Sequence, residues 1–421
     1  MPIPRSQKEN RGRSLRILFL LTQDLESPTG GGRVLPLARA LARLGYSIQI
    51  FALHSRYHEL AVEEREQIVD RICIRYLAPM HVRKRGSEKY YHSPIGLAWV
   101  AFRATLALTW AALRTEVDIV HVIKPHPMNG IAGWLATCFS RRILWVDCDD
   151  YEAGSGHFQH VWQKRGVAFF ERAISRSARA ITTNTTFIRT KLVGWGIPDA
   201  RIFDLPNGVD PADFPAPNRD LSEFKLSLGL SGKQVVAFIG SISLVSHPIN
   251  LLLEAMESVV QAEPEAALMV VGGGEDLERM RSHSVALGLA DSVRFVGRAA
   301  QSDLAAYYAI STVSIDPVFD NDAARGRLPL KLFESWACGV PIITGDVGDR
   351  RRVFGNPPAG LLVNPGSAKA LAKGILTLLA DKPLAQTLIT RGYQRLGNFT
   401  WDHLASRLDG YYNEQGFGGS D

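Results

Sequence analysis

Near its start, the chain combines an apolar run, a row of glycines, a periodic helical segment and a second apolar run. Residues 16–22 (RILFLLT) predict a buried strand, and the glycines occupy 30–32. Residues 34–46 (VLPLARALARLGY) carry apolar residues at helical spacing, and 47–53 (SIQIFAL) predict another strand. Strand, glycine loop, helix and strand in this order indicate a βαβ unit, which places the two strands in one parallel sheet.

The same alternation continues along the chain. Further strands are predicted at 118–123, 142–147, 179–184, 234–240, 267–274, 293–297, 313–317 and 340–345. Strands that alternate with helices predict parallel sheets covered on both faces. Residues 205–218 (LPNGVDPADFPAPN) have the composition of a linker. We therefore predict two α/β domains, at 1–215 and 216–395, and a C-terminal helical segment at 396–421 that packs back on the first domain.

Charge is unevenly distributed along the chain. Residues 1–210 contain 29 Lys and Arg against 19 Asp and Glu, whereas the rest contain 19 against 23. A basic half indicates an anionic partner such as phosphate or lipid, or simply a solubilising surface. The basic residues are not interleaved with a recognisable nucleic-acid-binding element, so no nucleic-acid partner is predicted.

The cysteines and the first residues bear on the compartment. Cys73, Cys138, Cys148 and Cys338 lie far apart without a CxxC pair, which indicates neither a disulfide framework nor a zinc site. Residues 1–16 are polar and basic, with no apolar run and cleavage site after them, so no secretory signal is predicted. The expected location is the cytoplasm.

Three features together resemble a known family. They are the glycine row after the first strand, the NGVD linker and residues 331–348 (KLFESWACGVPIITGDVG), with an E-x-x-A-x-G-x-P core from Glu334 to Pro341. They resemble the family 4 glycosyltransferases over residues 15 to about 412. The resemblance implies a GT-B fold, in which two Rossmann-like domains with parallel sheets face an interdomain cleft.

The resemblance also implies an activity. A sugar would pass, with retention of configuration, from a nucleotide-sugar donor on the second domain to a glycan, lipid-linked or small-molecule acceptor on the first. No metal and no cofactor would be needed. A nucleotide-sugar epimerase and a non-catalytic nucleotide-sugar-binding protein of the same fold are the alternatives.

Glu334 is the strongest candidate in the donor site. A carboxylate in the first turn of a helix at the carboxyl edge of a sheet can accept two hydrogen bonds from a ribose diol. It matches the second glutamate of the family's paired-glutamate motif; the alternative is an acid favoured there by the helix dipole. The motif's other glutamate, eight positions earlier, is replaced by Gly326. Asp320 or Asp322 would have to supply that carboxylate.

The positions at which the family has cations around the donor diphosphate carry other residues in this chain. The family often has an Arg and a Lys after the first strand of the second domain, where this chain has Ser241 and, nearby, His247. Lys331 and Arg327 are the predicted replacements, with Arg325 as a further candidate, because charge grows on the diphosphate as the glycosidic bond breaks. Ser241 and His247 remain candidate contacts to the donor.

Glycines and one arginine complete the predicted donor site. The glycines are Gly31, Gly32, Gly240, Gly273 and Gly274. Glycine lets the backbone approach a phosphate closely, and N–H groups at a helix start can receive an anion; the alternative is a tight turn that merely needs glycine. Arg298 follows a turn that lines the base pocket in the family, so it is the candidate contact to the edge of the base.

Residues 147–152 (DCDDYE) form an acidic cluster after a predicted strand. Several carboxylates so close together also suit a metal ion, but no histidine is built in and the family needs no metal, so none is predicted. Asp149 or Asp150 stands where the family often has a histidine and is predicted to bind an acceptor hydroxyl, or else to cap a helix. His126 and Lys124 are further acceptor-side candidates.

Residues 95–113 are apolar except for Arg103, and their length approaches that of a membrane span. A central arginine is costly in a bilayer, and the α/β pattern needs a helix here. Residues 81–92 add Arg83, Lys84, Arg85 and Lys89. The two segments predict either peripheral docking on an anionic membrane, at the inner face of the cell membrane, or a buried helix beside a solvated basic loop.

Overall fold

The computed structural model describes residues 15–85, 88–155, 158, 160–245 and 247–414. It contains an eight-stranded sheet built from the first half of the chain and a six-stranded sheet built from the second. The two predicted α/β domains are therefore present. Their predicted boundaries at 215 and 395 stay predictions.

The first domain surrounds the eight-stranded sheet. Its strands are β1 (Arg16–Leu20), β2 (Ser47–His54), β3 (Glu66–Val69), β4 (Ile72–Pro79), β5 (Val82–Arg85), β6 (Glu88–Tyr91), β7 (Ile119–Ile123), β8 (Ile143–Cys148), β9 (Ala180–Thr183) and β10 (Ile202–Asp204). Its helices are α1 (Leu35–Arg43), α2 (Val62–Arg65), α3 (Pro94–Arg114), α4 (Pro127–Cys138), α5 (Glu152–Ser155), α6 (Val161–Ser177) and α7 (Thr186–Gly194). The strand order is β10-β9-β8-β7-β1-β2-β4-β3, and every pair is parallel except β3 with β4.

The second domain surrounds the six-stranded sheet, which is parallel throughout. Its strands are β11 (Gln234–Ile239), β12 (Ala266–Val271), β13 (Val293–Gly297), β14 (Val313–Asp316), β15 (Ile342–Gly345) and β16 (Leu361–Val363), in the order β13-β12-β11-β14-β15-β16. Its helices are α8 (Leu221–Ser227), α9 (Ile249–Ala262), α10 (Leu277–Ala286), α11 (Leu304–Ala309), α12 (Asp322–Arg325), α13 (Lys331–Ala337), α14 (Arg350–Phe354), α15 (Ala368–Ala380) and α16 (Lys382–Leu396).

The last helix, α17 (Trp401–Tyr412), returns to the first domain. Its residues Trp401, Leu404 and Tyr412 are buried in the same apolar cluster as α1 and the strands β1 and β2. Helices α1 and α17 thus cover one face of the first sheet. The other face is covered by α3, α4, α6 and α7, whose buried residues share a second cluster with β1, β2, β7 and β8. Burial on both faces explains why these strands are almost entirely apolar.

The structure adds elements that the apolar runs did not predict. Strand β4 was not predicted, because Arg75 interrupts its apolar run; in the structure its residues alternate between buried and half-buried positions. The antiparallel hairpin of β5 and β6, the edge strands β3, β10 and β16, and a π-helical turn at Gly30–Val34 were also not predicted.

The interpretation of residues 95–113 as a buried helix is wrong. Helix α3 spans this segment, but only the stripe of Ala104, Leu108 and Ala112 is buried. The other side of the helix exposes large apolar side chains, among them Trp99 and Trp110. A stripe one residue wide suffices to anchor the helix on the sheet, so composition alone does not show how much of it faces solvent.

Candidate active site

The carboxyl ends of the two sheets meet along one cleft. Several contacts cross it. Asn207 Nδ2 donates to Leu328 O at 2.6 Å, Thr186 N donates to Asp349 Oδ2 at 3.0 Å, Tyr91 Oη donates to Glu275 Oε2 at 3.1 Å, and Arg327 Nε lies 3.6 Å from Asp150 Oδ1. In open α/β sheets, ligands bind at the carboxyl ends of the strands. The cleft is therefore the place where the predicted donor-side and acceptor-side residues meet.

The predicted acceptor residues form one cluster after β8. The ammonium of Lys124 lies 2.6 Å from Asp150 Oδ2, 3.0 Å from Glu152 Oε1 and 3.5 Å from Asp149 Oδ1. His126 Nε2 lies 3.0 Å from the other oxygen of Glu152. Lys124 and His126 come from the segment after β7, the strand next to β8, so the sheet order brings the two segments together. The Asp150 carboxylate is bonded to the Lys124 ammonium. This bond argues against the alternative interpretation, in which Asp150 caps a helix.

The carboxylates of this cluster differ in proton affinity. Burial raises the pKa of Asp149 to about 7, with Lys124 opposing and Asp150 adding to the rise. Burial also disfavours the charged form of Glu152, but Lys124 and His126 outweigh it and lower the pKa of Glu152 to about 2. One carboxyl therefore titrates near neutral pH beside another that stays ionised, a pattern typical of sites that move protons.

The ligand atoms of Asp149, Asp150 and Glu152 lie within 4.8 Å of one another, close enough to hold a metal ion. The buried ammonium of Lys124 contacts all three carboxylates. A lysine cation at this position supplies the positive charge that a divalent ion would bring. The donor set thus fits an internal ion-pair cluster better than a metal site.

Asp147 does not belong to this cluster, although it adjoins it in sequence. It makes a buried bidentate ion pair with Arg33, with Nε–Oδ2 and Nη2–Oδ1 distances both 2.8 Å. Arg33 also donates to the linker, to Leu205 O at 3.0 Å and to Asn207 Oδ1 at 2.9 Å. The glycine-row segment, strand β8 and the linker are thereby tied together beneath the cleft.

Glu334 lies in the first turn of α13, as predicted, and is half-buried. Tyr308 Oη donates a hydrogen bond of 2.8 Å to Glu334 Oε2. Burial raises the pKa of Glu334, which Tyr308 and Lys331 oppose. The tyrosine fixes one carboxylate oxygen. This partner could not be predicted from the sequence, because Tyr308 lies in a separate helix, α11.

Gly326 is buried where the family motif has a glutamate. A Cβ atom at this position would lie 2.9 Å from Tyr151 Cβ and 3.2 Å from Asp322 O. Tyr151 belongs to the first domain, so the cleft closes directly over Gly326. A side chain here is excluded by packing. Asp322 lies 3.7 Å from Lys191 Nζ, and Asp320 is paired with Arg325 at 2.8 Å, so neither compensating carboxylate stands unpaired in this structure.

Lys331 is predicted as a phosphate ligand, but its ammonium is buried beneath the loop that follows β11. It lies 3.5 Å from Asp316 Oδ1 and over the ring of Phe238, and a Cβ at Gly240 would lie 3.3 Å from it. His247 Nδ1 lies 3.8 Å from the same Asp316 oxygen. The side chain of Lys331 thus turns inward toward Asp316, and its role at the diphosphate stays a prediction.

Asp316 is the centre of this second network. Arg350, also buried, donates to Asp316 Oδ2 through Nε at 3.2 Å and Nη2 at 3.1 Å, and Thr344 Oγ1 donates at 2.8 Å. Burial would raise the pKa of Asp316, but Arg350 and Lys331 hold it well below its usual range. Burial lowers the pKa of His247, with Lys331 adding to the effect, so His247 is neutral. Lys331 and Arg350 therefore bracket the Asp316 carboxylate, and the Lys331 ammonium is the cation that adjoins Gly240.

The predicted glycines make close contacts with protein atoms. A Cβ at Gly32 would lie 2.3 Å from Leu330 Cδ1 in the second domain, and one at Gly31 would lie 2.7 Å from Leu25 O. A Cβ at Gly274 would lie 1.9 Å from Ile242 O. For Gly274, the alternative of a tight turn that needs glycine has direct structural support. Gly273 O accepts a hydrogen bond from Ile242 N at 3.1 Å, which holds the loops after β11 and β12 together.

The remaining candidates lie at the carboxyl ends of second-domain strands. Ser241 is half-buried directly after β11, and Arg298 is exposed directly after β13. The structure thus brings Ser241, Gly240 and Lys331 together, while Arg298 stands apart at the sheet edge. A cavity of about 350 Å³ lies in the cleft between Thr186 and Arg325, and one of about 420 Å³ lies beside Arg395 and Arg407.

Comparison with known proteins bears on both domains. Residues 29–208 match the family described as "Glycosyl transferase 4-like domain", and residues 222–395 match "Glycosyl transferases group 1". The chain is 27% identical over 240 residues to the GDP-mannose-dependent alpha-(1-6)-phosphatidylinositol monomannoside mannosyltransferase of Mycobacterium tuberculosis, a match that covers 56% of this chain and 62% of the relative. It is 24% identical over 411 residues to the D-inositol 3-phosphate glycosyltransferase of Jonesia denitrificans, covering 90% of this chain and 89% of the relative.

Solved structures share the fold. Sucrose-phosphate synthase from Thermosynechococcus elongatus superimposes with a TM-score of 0.74 at 20% identity, over 96% of this chain and 99% of that one. Anabaena Alr3699/HepE in complex with UDP-glucose gives 0.72 at 17% identity, over 95% and 100%. The two family matches cover both domains and the superpositions cover the whole fold, which confirms the resemblance: the chain belongs to the family 4 glycosyltransferases, with the GT-B fold.

Proposed function

We propose that this chain transfers a sugar, with retention of configuration, from a nucleotide sugar bound by the second domain to a hydroxyl acceptor bound by the first. The observation that carries the proposal is the approach of Arg327 to Asp150 across the cleft. It brings the segment that ends in Glu334 to the acidic cluster after β8. A donor and an acceptor held by these two segments would meet with little movement of either.

On the donor side, Glu334 accepts hydrogen bonds from the ribose diol, oriented by Tyr308. The diphosphate lies over Gly240 and Ser241, above the buried positive charge of Lys331. That charge is preorganised in a dry environment, where it stabilises the negative charge that develops on the leaving diphosphate. Lys331 then acts on the diphosphate through its electric field, from beneath the loop that follows β11. Arg327 is the cation nearer to the cleft surface.

On the acceptor side, the cluster of Asp149, Asp150 and Glu152 receives a sugar or cyclitol hydroxyl. Asp149, with its pKa near 7, is matched to accept a proton from that hydroxyl at neutral pH. His126 and Lys124 keep Glu152 ionised and hold the cluster in place. No metal ion is part of this proposal.

The acceptor is proposed to be presented at an anionic membrane surface, by an enzyme that docks peripherally from the cytoplasm. The names of two relatives specify a phosphatidylinositol monomannoside and D-inositol 3-phosphate as what they act on, and both contain an inositol phosphate. The basic first half of this chain, which would face the acceptor, favours a phosphate-bearing acceptor.

The donor is tested by thermal unfolding with a panel of UDP- and GDP-sugars, without acceptor. Binding to the native state alone stabilises by mass action, so a specific donor at a hundredfold its Kd should add about 2.7 kcal/mol. The shift should disappear in a Lys331→Met, Glu334→Gln variant and persist in Glu254→Gln, an exposed acid on α9. No shift with any nucleotide sugar contradicts the proposal.

A further inference from the structure

Helices α3, α4 and α6 lie side by side on one face of the first sheet, opposite α1 and α17. Their outward sides form a surface that is both apolar and basic, which we call the docking face. Its exposed large apolar residues are Ile95, Trp99, Phe102, Leu106, Trp110 and Leu113 on α3, Trp134 and Phe139 on and after α4, and Val161, Trp162 and Phe169 on α6. Contiguous apolar exposure on this scale marks an interaction surface.

Tryptophan is concentrated on this face. The sequence contains eight tryptophans, and the four exposed ones are Trp99, Trp110, Trp134 and Trp162. Trp145, Trp336 and Trp401 are buried, and Trp195 is half-buried. Tryptophan is enriched where one side of a molecule meets hydrocarbon and the other meets water.

The charges on the same helices have one sign. Six exposed cations lie on α3 and α6: Arg103, Arg114, Lys164, Arg165, Arg172 and Arg176. Arg141, exposed just after α4, adds a seventh. The one acid on these three helices is Glu171, which is buried, and burial with the nearby Glu152 raises its pKa to about 8. The face therefore presents cations and apolar side chains without a neutralising carboxylate of its own.

We propose that the docking face lies on an anionic lipid bilayer, with its aromatic side chains in the interface and its cations among the headgroups. A second copy of this chain is a poor occupant, because two faces with the same cations would repel each other. An anionic bilayer complements both properties of the face at once. This inference rests on the proposed function and deepens it, since it identifies the surface through which a lipid acceptor arrives.

Helix α3 docks without crossing the bilayer. By length and composition it is a candidate span, with a mean hydropathy of 1.4, and 17% of it is buried. Yet its stripe of Ala104, Leu108 and Ala112 packs in the domain core with Phe51 and Leu53 of β2. If α3 left the sheet, this core would be exposed to water. The helix therefore stays packed on the sheet and turns its other side to lipid.

The docking face borders the acceptor cluster. Helices α3, α4 and α6 each begin near the carboxyl edge of the sheet, where the cleft lies. His126, directly before α4, contacts Glu152, and Tyr91, near the start of α3, contacts Glu275 across the cleft. Ile95 and Trp162, near the starts of α3 and α6, are exposed beside this edge. A headgroup at the bilayer surface would therefore stand close to Asp149 and Asp150.

The test is flotation of the full chain with phosphatidylcholine vesicles, with and without phosphatidylglycerol, at low and high salt. The chain should float with the anionic vesicles and release at high salt, because salt screens the attraction. Each cation near the surface contributes roughly fivefold in affinity, so the Arg103→Gln, Arg114→Gln, Lys164→Gln variant should bind about a hundredfold more weakly. The matched control, Arg279→Gln with Arg281→Gln and Lys373→Gln, removes three exposed cations of α10 and α15 and should bind as the parent does.

Tryptophan fluorescence identifies the face that touches lipid. Vesicles with brominated acyl chains should quench the parent chain strongly, and the Trp99→Ser, Trp110→Ser variant should lose both quenching and affinity. Ile68→Ser with Val285→Ser removes exposed apolar residues elsewhere and should change neither. Equal binding to neutral and anionic vesicles, binding without quenching, or a stable dimer that does not bind vesicles would overturn the inference. Docking without any sugar transfer would leave it standing and reject the proposed function instead.

Discussion

Arg327 Nε, in the second domain, lies 3.6 Å from Asp150 Oδ1, in the first, and so joins the proposed donor side of the cleft to the proposed acceptor side. The same Asp150 accepts from Lys124 at 2.6 Å. A continuous chain of charges therefore runs from the acidic cluster to the segment before Glu334.

Replacing Glu334 by Gln should weaken donor binding about ten- to a hundredfold. The substitution keeps the shape and removes the charge, and a hydrogen bond to a charged group contributes roughly 1.5 to 3 kcal/mol. Titration calorimetry with the nucleoside diphosphate measures the effect without any acceptor. Tyr308→Phe, which removes the orienting hydroxyl, should weaken binding less. Unchanged affinity in Glu334→Gln would remove the ribose role.

Gly326→Ala should destabilise the protein by roughly 1 to 3 kcal/mol, because the added methyl group is forced against Tyr151 Cβ. Urea unfolding gives the free energy directly. Gly166→Ala, within α6 where a Cβ meets nothing within 4 Å, should be neutral or stabilising. In a Tyr151→Gly background, Gly326→Ala should cost less. An equal cost in both backgrounds would show that the contact does not exclude a side chain.

The activity should depend on the ionisation of Asp149. Its pKa is raised from 3.8 to about 7, so its ionised form, which accepts a proton, gains population as pH rises through about 7, and kcat/KM should rise with it. The free energy of unfolding should change with pH in the opposite direction. The favourable contribution of the protonated carboxyl is complete below pH 3.8 and is lost as pH rises to about 7. In Asp149→Asn both dependences should disappear; a rate that still rises through pH 7 assigns the base elsewhere.

Transfer should be insensitive to EDTA, because Lys124 supplies the cation among the three carboxylates. Lys124→Gln removes that cation and should create a weak site for Mg²⁺ or Mn²⁺, visible as metal-dependent stabilisation in thermal unfolding. The parent chain should show no such stabilisation. Loss of activity in EDTA that Mg²⁺ restores in the parent chain would assign a metal to this cluster.

The alternation of apolar runs and helices predicted both parallel sheets because strands buried on both faces must be apolar throughout. It missed β4, whose apolar run is interrupted by Arg75. The acceptor cluster was also predictable in outline, since Asp149 and Asp150 follow a strand directly. Tyr308 and Asp316 were not predicted, because their partners are distant in sequence and a single tyrosine or aspartate carries no spacing signal.

The departures from the family pattern could be explained only from the structure. Gly326 is explained by Tyr151, which packs against it from the other domain. The inward turn of Lys331 depends on Asp316 and on the lack of a side chain at Gly240. The first contact is set by how the two sheets face each other and the second by the neighbouring positions of β11 and β14 in one sheet, and no local pattern encodes either.

The central claim is sugar transfer with retention of configuration, and its most direct test follows the donor's anomeric proton by NMR. The protein is incubated with the donor that gives the largest thermal shift and with an inositol-phosphate acceptor on anionic vesicles. We expect nucleoside diphosphate to be released in step with a glycosylated product that keeps the donor's anomeric configuration, and neither to form with Glu334→Gln at low donor concentration. Isomerised donor without released diphosphate would identify an epimerase. Donor that binds but stays intact with every acceptor would contradict sugar transfer.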